Sequence, residues 1–265
     1  FLPHPLGPDE RLRAYASWCN AVEGNTTFYA TPARQTVASW ARQTGEDFGF
    51  LVKLPKAVTH ERRLAGGAEE LRAFLDAIEP LGPRVSALWV QLPGSFGPND
   101  LGTLAAFLRT LPRAYRYAVE VRHRAFFAEE RAARLLESVL RGVRAEWVPF
   151  DTTVLFAERP ATDAEREAWT KKPRLPRRMT ALTDRPIVRY IGRDDAERTA
   201  EGWRPWVEVF RAWLREGRTP TMFIHTPDNA DALPLARRFH DEVRAGLPEV
   251  EPLPDPIPAE PLTLF

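Results

Sequence analysis

A single cysteine, Cys19, excludes an intrachain disulfide and any zinc site built on several thiolates. The expected setting is a reducing cytoplasm, with Cys19 as a small buried hydrophobe. Charge of one sign is equally scarce in excess: 37 Lys+Arg against 36 Asp+Glu give a formal net charge of +1, so any basic surface for nucleic acid must be local. No apolar run is long enough to span a bilayer, and no membrane partner is expected. No GxGxxG or Walker loop, Gly-x-Ser-x-Gly elbow or HExxH helix occurs, which removes the usual routes to dinucleotide, nucleotide, serine-hydrolase and zinc-protease chemistry. No cofactor is assigned on this basis.

What the chain does have is a rhythm. Seven short apolar runs carry a charged or amide residue at or next to their C-terminal end: Ala21 to Asn25, Phe50 to Lys53, Ala87 to Gln91, Tyr117 to Arg122, Trp147 to Asp151, Ile187 to Tyr190 and Met222 to His225. Helical patterns follow most of them, with helices expected over 9–18, 36–44, 68–78, 100–111, 127–140 and 230–245. The repeat of about 30 to 40 residues suits a strand and its crossover helix, and no tight hairpin joins two runs. An all-parallel sheet follows, in a TIM-barrel-like (β/α)8 fold of which seven strands are visible. Residues 1–8 read as a loop before a helix, so the first of eight strands is expected upstream of Phe1. The expected organisation is one domain over 1–246 and a Pro-rich tail over 247–265.

Side chains alternate across a strand, so the polar ends should converge on one rim, where parallel α/β enzymes place their chemistry. That rim would carry Glu23, Asn25, Lys53, Gln91, Glu120, Arg122, Asp151, Arg189 and His225, with His60 and His123 on nearby loops. Buried charges in such numbers must be paired, hydrated or waiting for a ligand. One reading makes Glu120 and Arg122 a structural ion pair and ties Glu23 and Asn25 into the loop that follows them. The other makes Lys53, Arg122 and Arg189 an anion clamp, Glu23 or Glu120 the general acid or base, His60 and His225 its assistants, and Asn25, Gln91 and Asp151 orienting groups. A divalent ion would have suitable carboxylate and imidazole ligands but would be opposed by three cations, and no metal is assigned. Gly192-Arg193 and Thr226-Pro227-Asp228-Asn229 occupy places where barrels often hold phosphate, which points to a small anionic substrate. Asp228 or Asn229 is also a candidate helix cap.

Three segments, Val22-Glu23-Gly24-Asn25-Thr26-Thr27-Phe28-Tyr29, Lys53-Leu54-Pro55 with Thr59-His60-Glu61-Arg62-Arg63-Leu64, and Val119-Glu120-Val121-Arg122-His123, are joined by Trp89-Val90-Gln91-Leu92-Pro93 and Val188-Arg189-Tyr190-Ile191-Gly192-Arg193. In this order they resemble the YecE-like family, domain of unknown function seventy-two, over nearly the whole chain. The resemblance implies a TIM-barrel-like fold and no established activity. That family usually opens on a strand with a Gly-x-Ser-Gly-Trp type motif, which this sequence lacks.

Two further segments support a rival reading of nucleic-acid binding or processing. The long connection after Thr152 carries Lys171-Lys172-Pro173-Arg174-Leu175-Pro176-Arg177-Arg178, a lid, a phosphate-contacting loop or simply a solvated surface. The tail ends in Pro261-Leu262-Thr263-Leu264-Phe265. This resembles the Gln-Leu-Ser/Asp-Leu-Phe peptide by which bacterial replication and repair proteins hold the sliding clamp. Leu262, Leu264 and Phe265 would be the partner-binding residues, with Pro261 in place of the Gln.

Overall fold

The computed structural model describes residues 6–256; the clamp-like Leu262, Leu264 and Phe265 lie outside the described residues. The chain is an α/β protein with parallel strands. Helix α1 (Pro8–Ala16) leads into β1 (Ala21–Gly24), followed by the short α2 (Thr26–Tyr29), α3 (Arg34–Gln43) and β2 (Gly49–Lys53). A π-helical turn (Ala57–Glu61) and α4 (Ala68–Ile78) precede β3 (Val85–Gln91), α5 (Leu101–Thr110) and β4 (Tyr117–Glu120). Then come α6 (Ala125–Ala128), α7 (Glu130–Gly142), β5 (Glu146–Trp147), β6 (Phe150–Asp151), α8 (Asp163–Lys171), β7 (Ile187–Ile191), α9 (Ala196–Arg215), β8 (Thr221–His225) and α10 (Ala232–Arg244).

The ladders form two parallel sheets, β1-β2-β3-β4-β5 and β6-β7-β8. The fifth expected strand is broken in two by Pro149, which has no N–H to give a ladder. One segment nevertheless links both sheets. Val148 donates its N–H to Val119 O (2.9 Å), and Pro149 accepts from the N–H of Arg189 (2.9 Å). The other edges, β1 and β8, share no ladder among the described residues, so backbone pairing alone does not show the expected closed eight-stranded barrel.

Alternation along the strands sorts the apolar residues. Phe50, Val52, Leu88, Val90, Tyr117, Val119 and Trp147 face the helices in the larger core. Leu51, Ala87, Trp89, Ala118, Val148, Ile187 and Phe223 face away from the helices and pack together in a smaller core drawn from both sheets. Helix α9 buries Thr199, Ala200, Trp203, Trp206, Val207, Phe210 and Trp213 on one stripe, the spacing of an amphipathic helix. Its start is capped by Asp195, whose carboxylate accepts from Arg198 N at 2.9 Å.

Several element ends differ from expectation. Helix α3 starts at Arg34 rather than at Thr36. The segment after Thr152 holds helix α8, whose cap is Thr162, accepting from Glu165 N at 3.0 Å. Helix α10 starts at Ala232 with Asp231 at its cap. Asp228 instead accepts from Ala230 N (2.8 Å) in the preceding turn, and Asn229 takes a left-handed conformation, φ 56°. No helix among the described residues is long and apolar enough to cross a membrane.

Candidate functional site

One step beyond the smaller core, the same strand faces present Glu23 from β1, Lys53 from β2, Gln91 from β3, Glu120 from β4, Arg189 from β7 and His225 from β8. They meet at the C-terminal ends of the strands. Glu23 is the hub: its carboxylate lies 2.6 Å from Lys53 Nζ and 3.0 Å from Arg189 Nη2, and accepts from His225 Nε2 at 2.8 Å. Lys53 also donates to Asn25 Oδ1 and Gln91 Oε1, both at 2.8 Å, so its ammonium is committed to three protein groups. Its Nζ lies 5.0 Å from the centre of the Trp89 ring. The Thr27 hydroxyl, 2.8 Å from the carbonyl oxygens of Gly24 and Lys53, fixes the turn after β1 against the end of β2.

Glu120 forms the second half of the cluster. Oε1 accepts from Arg122 Nε at 2.7 Å, while Oε2, fully buried, has no hydrogen bond and lies 3.8 Å from Arg189 Nη1. The two arginines flank Phe150, with their guanidinium carbons 4.8 and 5.2 Å from its ring centre.

Burial pushes the Glu23 carboxyl up, but Arg189, His225 and Lys53 outweigh it and hold the group well below the ordinary carboxylate range. The same opposition, with Arg122, Arg189 and Lys53 facing it, brings Glu120 down. Burial pulls Lys53 below the usual lysine value, against the attraction of Glu23. His60, on the π-helical turn, is lowered to about 4 by burial and by Arg122. Its ring stands edge-on to Phe28 at 4.9 Å, and Nδ1 lies 2.9 Å from the Thr59 hydroxyl.

The expected rim is thus assembled with one exception. Asp151 does not join it. In the broken fifth strand Val148 and Phe150 take the inner positions, and Asp151 turns toward the helices, accepting from Trp206 Nε1 and Arg177 Nε, both at 2.7 Å, and from Thr153 N at 2.8 Å. It anchors α9 and the preceding loop. His123 lies on the loop after β4, as expected, and accepts from Ala125 N at 3.2 Å.

The basic run proves to be largely spent within the chain. Lys171 pairs with Glu167, Arg177 with Asp151, and Arg178 with Glu137 while lying 4.0 Å from the Trp147 ring centre. Arg193 is spent too, on Glu165 Oε2 (2.8 Å) and the carbonyls of Glu158 and Arg159. The first of the two places expected to hold phosphate is therefore filled by protein groups.

The second place is open. A cleft of about 190 Å³ lies between the end of α8 and the 226–229 turn, lined by Lys172, Ile191, His225, Thr226 and Asn229 among others. His225 thus has two sides, with Nε2 on Glu23 and Nδ1 3.3 Å from Asn229 Oδ1. Lys172 is the residue that sequence reasoning missed as an individual. It is half-buried, and the charged groups acting on it are Arg189, Arg122, Glu120 and Glu23. Among the described residues no carboxylate stands within ion-pair distance of its ammonium, whereas neighbouring Lys171 has one. The only signal in the sequence was its membership of a charged run, which does not say which head group turns inward. Among the described residues no group of three or more His, Cys, Asp or Glu is placed to hold a metal ion.

Comparison with known proteins gives one family. The family model described as "Protein of unknown function DUF72" matches residues 1–260, in agreement with the resemblance carried by the five motifs. The UPF0759 protein YecE of Escherichia coli O157:H7 and that of strain K12 are each 37% identical over 243 residues, covering 92% of this chain and 89% of the relative. In a crystal structure, a DUF72 family protein of Enterococcus faecalis V583 shares the fold with a TM-score of 0.67 at 20% identity, over 90% of this chain and 94% of that one.

Proposed function

We propose that this protein, which belongs to the DUF72 family, binds a small phosphate- or carboxylate-bearing substrate at its polar rim and performs acid/base chemistry on it. The observation that carries this reading is the Glu23–His225 pair at the wall of an open cleft. An ionised carboxylate only accepts, so His225 Nε2 carries the proton toward Glu23; Nδ1 is then the basic nitrogen on the opposite edge of the ring, with the Asn229 amide turned so that its NH2, not Oδ1, faces it. Glu23 would fix the tautomer and stabilise the imidazolium formed when His225 takes a proton. Glu120, buried with one oxygen free of hydrogen bonds, is the second candidate for proton transfer.

The balance of charge supports an anionic substrate. Two ionised carboxylates, Glu23 and Glu120, face Lys53, Arg122 and Arg189, and Lys172 adds a further cation with no carboxylate of its own. A ligand bearing negative charge offsets that excess in a site of low dielectric. The inner faces of both sheets pack into a single core, and this supports reading the sheets as two arcs of one βα barrel, with the cluster at its catalytic end. The nucleic-acid reading gains no observation, because the cations of the basic run are mostly occupied.

The test is a turnover screen over small phosphomonoesters and hydroxy- or keto-carboxylates, following proton exchange by NMR and phosphate release. Wild-type protein should turn over at least one member, and His225→Asn should lose about 10² to 10⁴ of that rate while still binding it. Equal turnover by His225→Asn would overturn the assignment.

A further inference from the structure

We propose that the substrate's anionic group is held by Lys172, in the cleft between the end of α8 and the 226–229 turn, and not by the three cations of the rim, Lys53, Arg122 and Arg189. This rests on the acid/base reading of the same rim and assigns the place where the anion sits.

The argument begins with what is already committed. Lys53 is ion-paired with Glu23 and donates to Asn25 and Gln91. Arg189 serves Glu23 and approaches Glu120, and Arg122 serves Glu120. An anion binding to Lys53 or Arg189 would have to displace a buried carboxylate, leaving it unpaired at a cost of several kcal/mol, and Arg122, with its side chain 19% exposed, already holds Glu120 through Nε and Nη2. Lys172 requires no such exchange. Its ammonium has no carboxylate partner among the described residues; the residue is half-buried, so water competes only partly for it, and it lines the cleft with His225, Thr226, Asn229 and the paired Lys171 and Glu167.

The chain also holds this residue in place. Lys172 N donates to Ala168 O at 2.8 Å, closing α8, and the Thr152 hydroxyl donates to Pro173 O at 3.0 Å, tying the next residue back to the end of β6. Across the cleft, Asp228 N donates to Asp194 Oδ1 at 3.2 Å, which steadies the 226–229 turn. The Thr226 hydroxyl donates to Asp228 Oδ1 at 3.1 Å. An oxyanion on Lys172 would therefore sit in the same cleft as His225, placing the neighbouring atoms of the substrate beside the imidazole.

The groups facing Lys172 are Arg122 and Glu120 at the end of β4, Arg189 on β7, Glu23 on β1 and His225 on β8, with the mutually paired Lys171 and Glu167 on its own helix. Burial, then Arg189 and Arg122, lower its pKa to about 8. Anion affinity should accordingly fall as the ammonium loses its proton near that pH.

Sulfate is the probe, because its charge stays constant over the range where phosphate titrates. Calorimetric titration at low ionic strength should show sulfate binding to wild-type protein at about pH 7 and weaker binding at about pH 9.5. Lys172→Met should weaken binding at the lower pH by about ten- to a hundredfold, the loss of one charge-assisted hydrogen bond, with its melting temperature unchanged because no ion pair is lost. Lys172→Arg should restore binding and keep it at the higher pH. Sulfate binding that is equally tight in Lys172→Met overturns the assignment and leaves the anionic-substrate reading standing. Wild-type protein that binds neither sulfate nor inorganic phosphate overturns both.

Discussion

Glu146 at the foot of β5 and Glu120 at the head of β4 are the same residue type at the same depth, 1% and 0% exposed, yet they are built into opposite surroundings. Every oxygen lone pair of Glu146 meets a neutral donor: Trp147 N and Leu182 N on Oε1, and Thr183 N and the Thr183 hydroxyl on Oε2, at 2.5 to 3.0 Å. Burial then wins and raises its pKa. Glu120 meets guanidinium groups, its pKa is lowered, and one oxygen keeps no hydrogen bond. A carboxylate saturated by neutral donors pins a loop to a strand end. One held ionised by cations, with an oxygen to spare, is what a site that must interact with a ligand or move a proton requires.

The largest expected effect comes from removing the hub on the charged side. Glu23→Gln leaves Lys53 and Arg189 buried without their main counter-charge and should cost about 3 to 5 kcal/mol of unfolding free energy near neutral pH, measured by urea denaturation. Acid adds a signature. Because the folded pKa of Glu23 is depressed, its contribution is fully present above the unfolded carboxyl pKa of about 4.3 and is lost as pH falls below that value toward the folded one. Wild-type stability should therefore drop on acidification in that window, and Glu23→Gln should flatten the drop. A variant as stable as wild type, with an unaltered acid limb, would mean that the rim is not organised around Glu23.

The neutral side should answer with the opposite sign. Glu146→Gln turns an amide NH2 toward some of the donors and should cost about 1 to 3 kcal/mol. Since the folded pKa of Glu146 is raised, its penalty is absent below the unfolded carboxyl pKa and grows as pH rises through the folded value. Wild-type Glu146 thus adds stability as pH falls from its folded value to about 4.3, and Glu146→Gln should remove that gain, whereas Glu23→Gln acts on the loss below about 4.3. Parallel shifts in the two variants would erase the distinction between foot and mouth.

How much of this was legible in the sequence depends on the kind of information needed. Alternation placed Glu23, Lys53, Gln91, Glu120, Arg189 and His225 on one face, because period-two patterning survives in unbroken strands. It failed at Asp151, where Pro149 divides the run and the inner positions fall to Val148 and Phe150. Alternation shows which residues share a face, but not which face is inner. Pairing lay beyond its reach. That Lys53 is spent on Glu23, Asn25 and Gln91, that Arg193 is taken by Glu165, and that Lys172 alone of its run turns unpaired toward the cleft all depend on distances across elements far apart in the chain. The rim as a set of residue types could be read from the sequence, whereas the residue left over for a ligand could not.

The smallest effect is expected where the same chemistry is bathed in water. Arg134 and Glu130 form an i,i+4 ion pair on α7 with side chains 65% and 81% exposed. Solvent screens their attraction, and holding two long side chains together costs rotamer entropy, so Arg134→Ala should change unfolding free energy by at most about 0.5 kcal/mol. The better helix propensity of Ala works against even that loss. Adding 0.5 M salt should remove what remains in wild type while leaving the Glu23→Gln penalty largely intact, because buried pairs escape the screening that suppresses exposed ones. If Arg134→Ala cost as much as Glu23→Gln, burial would not be what gives the rim charges their weight, and the contrast between mouth and foot would reduce to a count of ion pairs.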